Sequence, residues 1–333
     1  DYIVVNHVEM DHSGALPKIK ELCPQAPIIC SPRAVEPLQK HFDTTGWEFQ
    51  VVKTGDSLDL GGKTLSFIEA PMLHWPDSMF TYVPEDALLL PNDAFGQHLA
   101  TSQRFDDEVE ESILMDEAAK YYANILLPFS TLVEKKLKEL TEANLPVDMI
   151  APSHGIIWRG DPGKILAAYQ NWSTQQGTPQ RVSPQVVIVY ETMWESTAKM
   201  AFAMADQLAD LGVRTVVYQA CKTDRNDVIR EILEADGVLI GSSTINNDIL
   251  ATLAPLLEDL VGLKPKGKLG LAFGSHGWRG GAVDTINAKM KEAGMELLGE
   301  GVKCQWVPTD EDLELCRQQA RQLAEKLKVT AVS

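Results

Sequence analysis

The hydrophobic rhythm of the chain changes about halfway along. Before residue 170, short apolar runs at 2–5, 26–30, 48–52, 64–69, 87–90 and 147–151 are separated by turn signals and read as strands. Two helical patterns lie among them, one through roughly 108–127 and one over 129–142, where Leu132, Val133, Leu137 and Leu140 recur at helical spacing. From residue 186 the elements alternate strictly. Strand-like runs at 186–190, 214–219, 237–241, 268–273 and 299–305 are followed by helical patterns at 197–211, 227–234, 250–260, 282–293 and the amphipathic 310–327. Five short apolar strands with helices between them predict a doubly wound parallel sheet, with its ligand at the carboxyl ends of the strands. The stretch 175–184, rich in Gly, Pro and polar residues, is the predicted linker, and no internal repeat joins the halves. The expected domains are 1–177 and 184–330.

Composition narrows the class. A chain of 333 residues is long enough for two separate cores. No run approaches the length of a membrane span. The chain opens at Asp1 inside a strand-like segment, with neither an initiator Met nor a signal peptide, so further sequence is expected upstream. A formal charge of −17 argues against non-specific binding to nucleic acid or anionic membranes. The five cysteines (Cys23, Cys30, Cys221, Cys304, Cys316) are scattered and contain no C-x-x-C. That excludes a four-cysteine iron or zinc module within this chain and predicts a reducing, cytoplasmic setting.

Candidate chemistry is concentrated at strand ends. The run 6–14, Asn-His-Val-Glu-Met-Asp-His-Ser-Gly, places His7, Glu9, Asp11 and His12 directly after the first apolar strand. Unpaired carboxylates crowded at a strand end repel one another and resist desolvation. A metal ion removes both difficulties, and a mixture of imidazole and carboxylate leans toward iron or manganese. His74 follows the strand-like 65–68, Asp93 follows 87–90, and His154 follows 147–150, each just before a turn. A lone histidine is more often structural, but several in register at strand ends point to a metal centre. His98, near Asp93, is a candidate for the layer behind the ligands. His41 reads as a surface residue.

The second half offers three loops at strand ends. The first, 191–197 (Glu-Thr-Met-Trp-Glu-Ser-Thr), carries hydroxyls at Thr192, Ser196 and Thr197 beside Met193 and Trp194, and leads into a helix whose N–H groups suit one phosphate. It has neither a P-loop lysine nor a G-x-G-x-x-G fingerprint, so a single-phosphate cofactor fits better than a triphosphate or dinucleotide. The second loop holds Ser243, Thr244, Ile245, Asn246 and Asn247. The third holds Ser275, His276, Gly277, Trp278, Gly280 and Gly281. Its glycines permit close backbone approach, and His276 and Trp278 can stack on a planar ring.

These residues carry a resemblance. H-x-[EH]-x-D-H followed by His, Asp and His at increasing distances is the ligand series of the metallo-β-lactamase fold. The usual hydrolase has His at the third position of that motif and binds zinc, whereas this chain has Glu9. Glu9, together with the segments 72–81 (Met-Leu-His-Trp-Pro-Asp-Ser-Met-Phe-Thr) and 92–96 (Asn-Asp-Ala-Phe-Gly), resembles the flavodiiron proteins, or A-type flavoproteins, over nearly the whole chain. The three later loops resemble the FMN site of short-chain flavodoxin-like domains.

The resemblance implies an α/β protein: a metallo-β-lactamase-like αββα domain lacking its N-terminal strands, then a flavodoxin-like doubly wound parallel sheet. It implies two non-haem irons, one held by His7, Glu9 and His74, the other by Asp11, His12 and His154, with Asp93 bridging. In some members the imidazole equivalent to His12 turns away. The implied activity is reduction of O₂ to water, of NO to N₂O, or both, with FMN relaying electrons from rubredoxin or a similar small donor. A head-to-tail homodimer is implied too. Arg279 and Lys199, near the flavin loops, are candidates for docking an acidic donor. Two other readings compete: a zinc hydrolase with an accessory flavodoxin domain, disfavoured by Glu9, and a flavodoxin-type electron carrier, disfavoured by the complete ligand set.

Overall fold

A computed structural model describes residues 1–174 and 183–332. Residues 175–182 of the predicted linker lie outside the described residues. The chain divides into two compact units, Asp1–Tyr122 with Phe129–Gln170, and Ala123–Pro128 with Asn171 onward.

The first unit is built on two sheets. Strand β1 (Ile3–Val5) leads into helices α1 (Met10–Ser13) and α2 (Leu16–Leu22); β2 (Ile28–Cys30), α3 (Val35–His41) and β3 (Phe49–Val51) follow. The three strands pair in parallel, in the order β1-β2-β3. The second sheet takes β4 (Ser57–Asp59), β5 (Thr64–Glu69), β6 (Met79–Val83) and β7 (Leu88–Leu90) as an antiparallel run. Helices α4 (Glu111–Tyr121) and α5 (Ser130–Glu142) then intervene before β8 (Met149–Ile150) pairs parallel to β7, and α6 (Pro162–Thr174) follows, its residues up to Gln170 in this unit.

The period-2 alternation of β2 decides how the layers stack. Ile28 and Cys30 point to one side, into a core with Leu16, Ala34 and Leu38 from the helical segments. Ile29 points to the other side, into a core with Val52, Phe67 and Met79, the last two from the second sheet. Two sheets therefore face each other with helices outside. Asn6, just past β1, ties the sheets at one edge. Its side-chain amide donates to the Leu90 carbonyl at 3.1 Å, its side-chain oxygen accepts from Thr81 Oγ1 at 2.7 Å, and its carbonyl accepts from the Met79 N–H at 2.9 Å.

In the second unit β9 (Gln185–Glu191), α7 (Ser196–Asp210), β10 (Arg214–Gln219), α8 (Arg225–Glu234), β11 (Gly237–Ser242), α9 (Ala254–Leu263), β12 (Leu269–His276) and α10 (Gly281–Glu292) alternate as the sequence predicts. The predicted last strand, 299–305, holds β14 (Val302–Gln305); a short β13 (Glu296–Leu297) that the sequence did not predict precedes it, both pair with β12, and α11 (Asp310–Val332) follows. The strand order is β10-β9-β11-β12-β13, all parallel. The chain leaves β9 for one side of the sheet and later returns to its other side at β11. A crevice opens at the carboxyl ends of strands where such a reversal occurs. Among the described residues no helix is long and apolar enough to cross a membrane.

Candidate functional site

In the first unit, four strand ends deliver one cluster. His7 to His12 follow β1, and the short helix α1 brings Asp11 and His12 into the cluster. His74 sits in the loop between β5 and β6, Asp93 beyond β7, and His154 beyond β8. Gly155, at φ +78°, lets the chain leave His154 close against Gln97; a Cβ there would lie 2.4 Å from Gln97 Oε1. Gln97 Oε1 instead accepts the Ile156 N–H at 2.7 Å, which anchors the segment.

The donor atoms converge as two sets that meet at Asp93. His7 Nε2 and His74 Nε2 each stand 3.2 Å from Glu9 Oε2, and 3.5 and 3.4 Å from Asp93 Oδ2. On the other side His12 Nε2 and His154 Nε2 stand 2.8 and 3.2 Å from Asp93 Oδ1, and 3.4 and 3.2 Å from Asp11 Oδ2. Donors each about 2.1 Å from one ion stand roughly 3.0–3.5 Å from one another in octahedral or tetrahedral geometry. Asp93 is buried, yet neither oxygen makes a hydrogen bond of acceptable angle, and neither does His12 Nε2. Lone pairs that crowd one another without sharing a proton are aimed at common points between them.

Electrostatics follow from the same packing. Burial alone would raise the Asp93 pKa, but His12, His154 and His74 outweigh it and hold the carboxyl well below the usual range. Burial likewise lowers His12 and His74, and Asp93 with the neighbouring carboxylates more than reverses this, leaving both above an ordinary histidine. His98 packs its ring 5.5 Å from His154 and 4.8 Å from Tyr121. Burial and the His154 imidazole push the pKa of His98 down. Burial, then the field of Asp93, pushes Tyr121 far above an ordinary phenol. His41 is exposed, outside the cluster.

Asp77 is a residue that the sequence analysis did not single out. It is buried, and its Oδ2 accepts from His7 Nδ1 at 3.0 Å and from the Val8 N–H at 2.8 Å. A carboxylate can only accept, so His7 must carry its proton on Nδ1, which leaves the Nε2 lone pair facing Glu9 and Asp93. Ser31, after β2, donates its hydroxyl to the Asp77 carbonyl at 2.7 Å and pins this loop. The available signal was a carboxylate three residues after His74, just ahead of an apolar strand.

In the second unit, a cavity of about 740 Å³ lies at the carboxyl edge of the sheet. Met193, Trp194 and Ser196 line it from the β9 loop, Ser243 to Asn247 from the β11 loop, and Ser275 to Arg279 from the β12 loop. Trp306 and Val307, after β14, complete the wall and were missed by sequence, although they occupy the same strand-end position. The Trp278 and Trp306 rings lie 6.2 Å apart. Thr192, Thr197, Gly280 and Gly281 do not line the cavity. Thr192 Oγ1 is buried without a hydrogen-bond partner. Thr197 Oγ1 is fully buried within a hydroxyl triangle, 3.0 Å from Ser243 Oγ and 2.9 Å from Ser275 Oγ. Gly281 lets two loops touch, since a Cβ there would fall 1.9 Å from the Asn247 carbonyl oxygen. Helix α7 starts at Ser196, and Glu195 before it puts no side-chain cap on its first N–H groups, which suits an anion.

Comparisons with known proteins fit both halves. Residues 1–155 match the family model described as ODP family beta lactamase, and residues 188–319 match that of flavodoxin. The chain is 56% identical over 328 residues to a nitric oxide reductase of Moorella thermoacetica, covering 98% of this chain and 81% of that one. It superposes on rubredoxin oxygen:oxidoreductase from Desulfovibrio gigas with a TM-score of 0.96 at 35% identity, over 100% of this chain and 82% of the other. The flavodiiron protein of Giardia intestinalis gives 0.93 at 33% identity, over 99% and 80%.

Proposed function

The chain belongs to the flavodiiron family, and from that premise we propose that its two units divide one reaction between them. The protein is a flavodiiron oxidoreductase with FMN and a non-haem diiron centre as cofactors. Its substrates in this proposal are nitric oxide, reduced to nitrous oxide, and dioxygen, reduced to water.

The observation that carries the reading is the pair of Asp93 oxygens, each turned toward a separate donor set. We assign His7, Glu9 and His74 to one iron, Asp11, His12 and His154 to the other, and Asp93 as the bridge. The mutual distances suit this, and so do the buried oxygens of Asp93, which lack hydrogen bonds. His12 belongs in the set because its Nε2 lies in the same range of distances as that of His154. The unpartnered Thr192 hydroxyl and the uncapped start of α7 suit a flavin phosphate, and the aromatic walls of the cavity suit the ring. The domains proposed are 1–177 for iron and 184–330 for flavin.

When bound, reduced FMN and a diferrous pair each hold two electrons, together the four that dioxygen needs to reach water. The chain's own residues supply the rest. Asp77 orients His7; Asp93, with one oxygen toward each donor set, would offset the repulsion of two cations held there. The partly exposed Glu9 and Asp11 leave the cluster open to gas and solvent. Tyr121 keeps its phenolic proton, and His98 stays neutral at pH 7, so both hold hydrogen-bonding groups beside His154.

The flavin cavity is rimmed by Trp194, Trp278 and Trp306, which are 85%, 84% and 60% exposed. Such a rim calls for cover, and a head-to-tail homodimer that sets this rim against the partner's iron unit provides it. Rubredoxin or a similar small protein is the proposed donor, with Arg279 at the cavity and Lys199 on α7 as docking cations. Five free cysteines suit a cytoplasmic setting. The test is anaerobic reduction followed by separate NO and O₂ consumption assays, with iron and FMN counted on the same sample. Zinc in place of iron, with hydrolase activity, would favour the hydrolase reading. An active monomer in analytical ultracentrifugation would refute the dimer.

A further inference from the structure

Glu191 is the last residue of β9, and although its side chain is charged it is only 3% exposed. All of its acceptor capacity is used. Oε1 accepts from the Thr192 N–H at 3.2 Å and from Gln219 Nε2 at 3.1 Å; Oε2 accepts from the Cys221 N–H at 2.9 Å and from Thr252 Oγ1 at 3.1 Å. These donors belong to the loop after β9, the end of β10, the turn that follows it and the turn that precedes α9. A buried carboxylate persists only when its lone pairs are satisfied in this way. Burial alone would raise its pKa, but the bonds from Gln219, Cys221, Thr192 and Thr252 more than reverse this and keep it ionised.

The consequence falls on residue 192. Its N–H is committed to Glu191 and is not a donor to a ligand, whereas its hydroxyl is buried with no partner. One residue on, the Met193 N–H reaches Ser243 Oγ at 3.4 Å, in the hydroxyl triangle with Thr197 and Ser275. The loop is thus held at its start by the carboxylate and beyond it by the hydroxyls, one of which, Thr197, lies in the uncapped first turn of α7.

We propose that Glu191 is a positioning residue for the flavin phosphate: by fixing the start of loop 192–197 it makes the Thr192 hydroxyl and the first N–H groups of α7 converge on one anion. It has no part in binding the flavin ring. The proposal rests on FMN as the occupant of the cavity, and its phosphate is where Glu191 acts. A carboxylate near a phosphate would otherwise repel it, so the sign of the effect is diagnostic.

The experiment removes flavin from the full-length protein and titrates the apoprotein with FMN and, separately, with riboflavin, which lacks the phosphate. For Glu191→Ala the expected result is FMN affinity weaker by about ten-fold or more, the loss of one charge-assisted hydrogen bond, with riboflavin affinity within about two-fold of wild type. Equal weakening for both flavins would mean that Glu191 only supports the fold, and would overturn the proposal. Unchanged or tighter FMN binding would overturn it as well. If Glu191→Ala does not fold, Gln219→Met and Thr252→Val each delete one donor to the carboxylate. Both should lower FMN affinity selectively, and an unchanged FMN-to-riboflavin ratio in both overturns the proposal. Wild-type apoprotein that binds neither flavin would instead sink the cofactor assignment.

Discussion

Replacing Asp77 by alanine should loosen the metal centre without touching a proposed ligand. The carboxylate holds two buried donors through one oxygen, the Val8 N–H at 2.8 Å and His7 Nδ1 at 3.0 Å. Val8 and His7 are 0% and 1% exposed, so water does not replace the lost acceptor. An orphaned buried N–H costs about 1–3 kcal/mol of stability. Loss of the partner that orients a metal-binding imidazole costs about 10–100-fold in metal affinity, or about 1.4–2.7 kcal/mol. Asparagine keeps the shape and an amide oxygen that accepts both bonds, so Asp77→Asn should lose only the charge assistance, about 1 kcal/mol. The expected order of metal affinity is wild type, then Asp77→Asn, then Asp77→Ala. Titrating metal-free protein with a divalent ion against a chromophoric chelator measures it, and denaturant unfolding of the same apoproteins isolates the stability component. If Asp77→Ala lost stability but bound metal as wild type does, the orienting role would be refuted.

Three further outcomes are expected. Asp93→Ala removes the oxygens shared by both donor sets, so iron should fall below two per chain and NO and O₂ consumption should vanish, while FMN content and its reduction by an external donor stay unchanged; retained gas consumption would contradict the bridging role. Because the folded-state pKa of Glu191 lies below the ordinary glutamate value, its stabilising contribution is present above that value and disappears as pH falls through the lowered one. Apoprotein stability should therefore decline more steeply in acid for wild type than for Glu191→Gln, and parallel curves from pH-dependent unfolding would refute this. Gly281→Ala places a Cβ 1.9 Å from the Asn247 carbonyl oxygen, and an overpacking cost of about 1–3 kcal/mol should weaken FMN binding by roughly five- to hundred-fold while iron content holds; fluorescence titration reads the one and metal analysis the other.

Much of the fold was legible because its signals are local. The apolar runs at 64–69 and 214–219 coincide with β5 and β10 residue for residue. Most of the elements that escaped lack a local period, although the 13-residue helix α6 (Pro162–Thr174) was passed over as well. Helices α1, α2 and α3 span only four to seven residues, too few to display one. Strand β4 is a largely exposed edge, and β6 starts directly after the loop that carries His74 and Asp77, so neither stands out as a bounded apolar run.

The division of labour at the sites has the same cause. Residue type and strand-end position are properties of the chain, so His7, Glu9, Asp11, His12, His74, Asp93 and His154 could be picked out as candidates before any coordinates. Their convergence on Asp93, the distinct direction of each of its oxygens, and the inward turn of His12 depend on how two sheets are joined at Asn6. Asp77 and Glu191 mark the limit most clearly. The partner of Asp77 lies 70 residues away, and Glu191 collects donors up to 61 residues distant. A buried carboxylate acquires its role from the donors that packing brings to it, and their sequence separation leaves no periodic trace. The chain by itself determined which chemistry was present; the tertiary structure decided which atoms face one another.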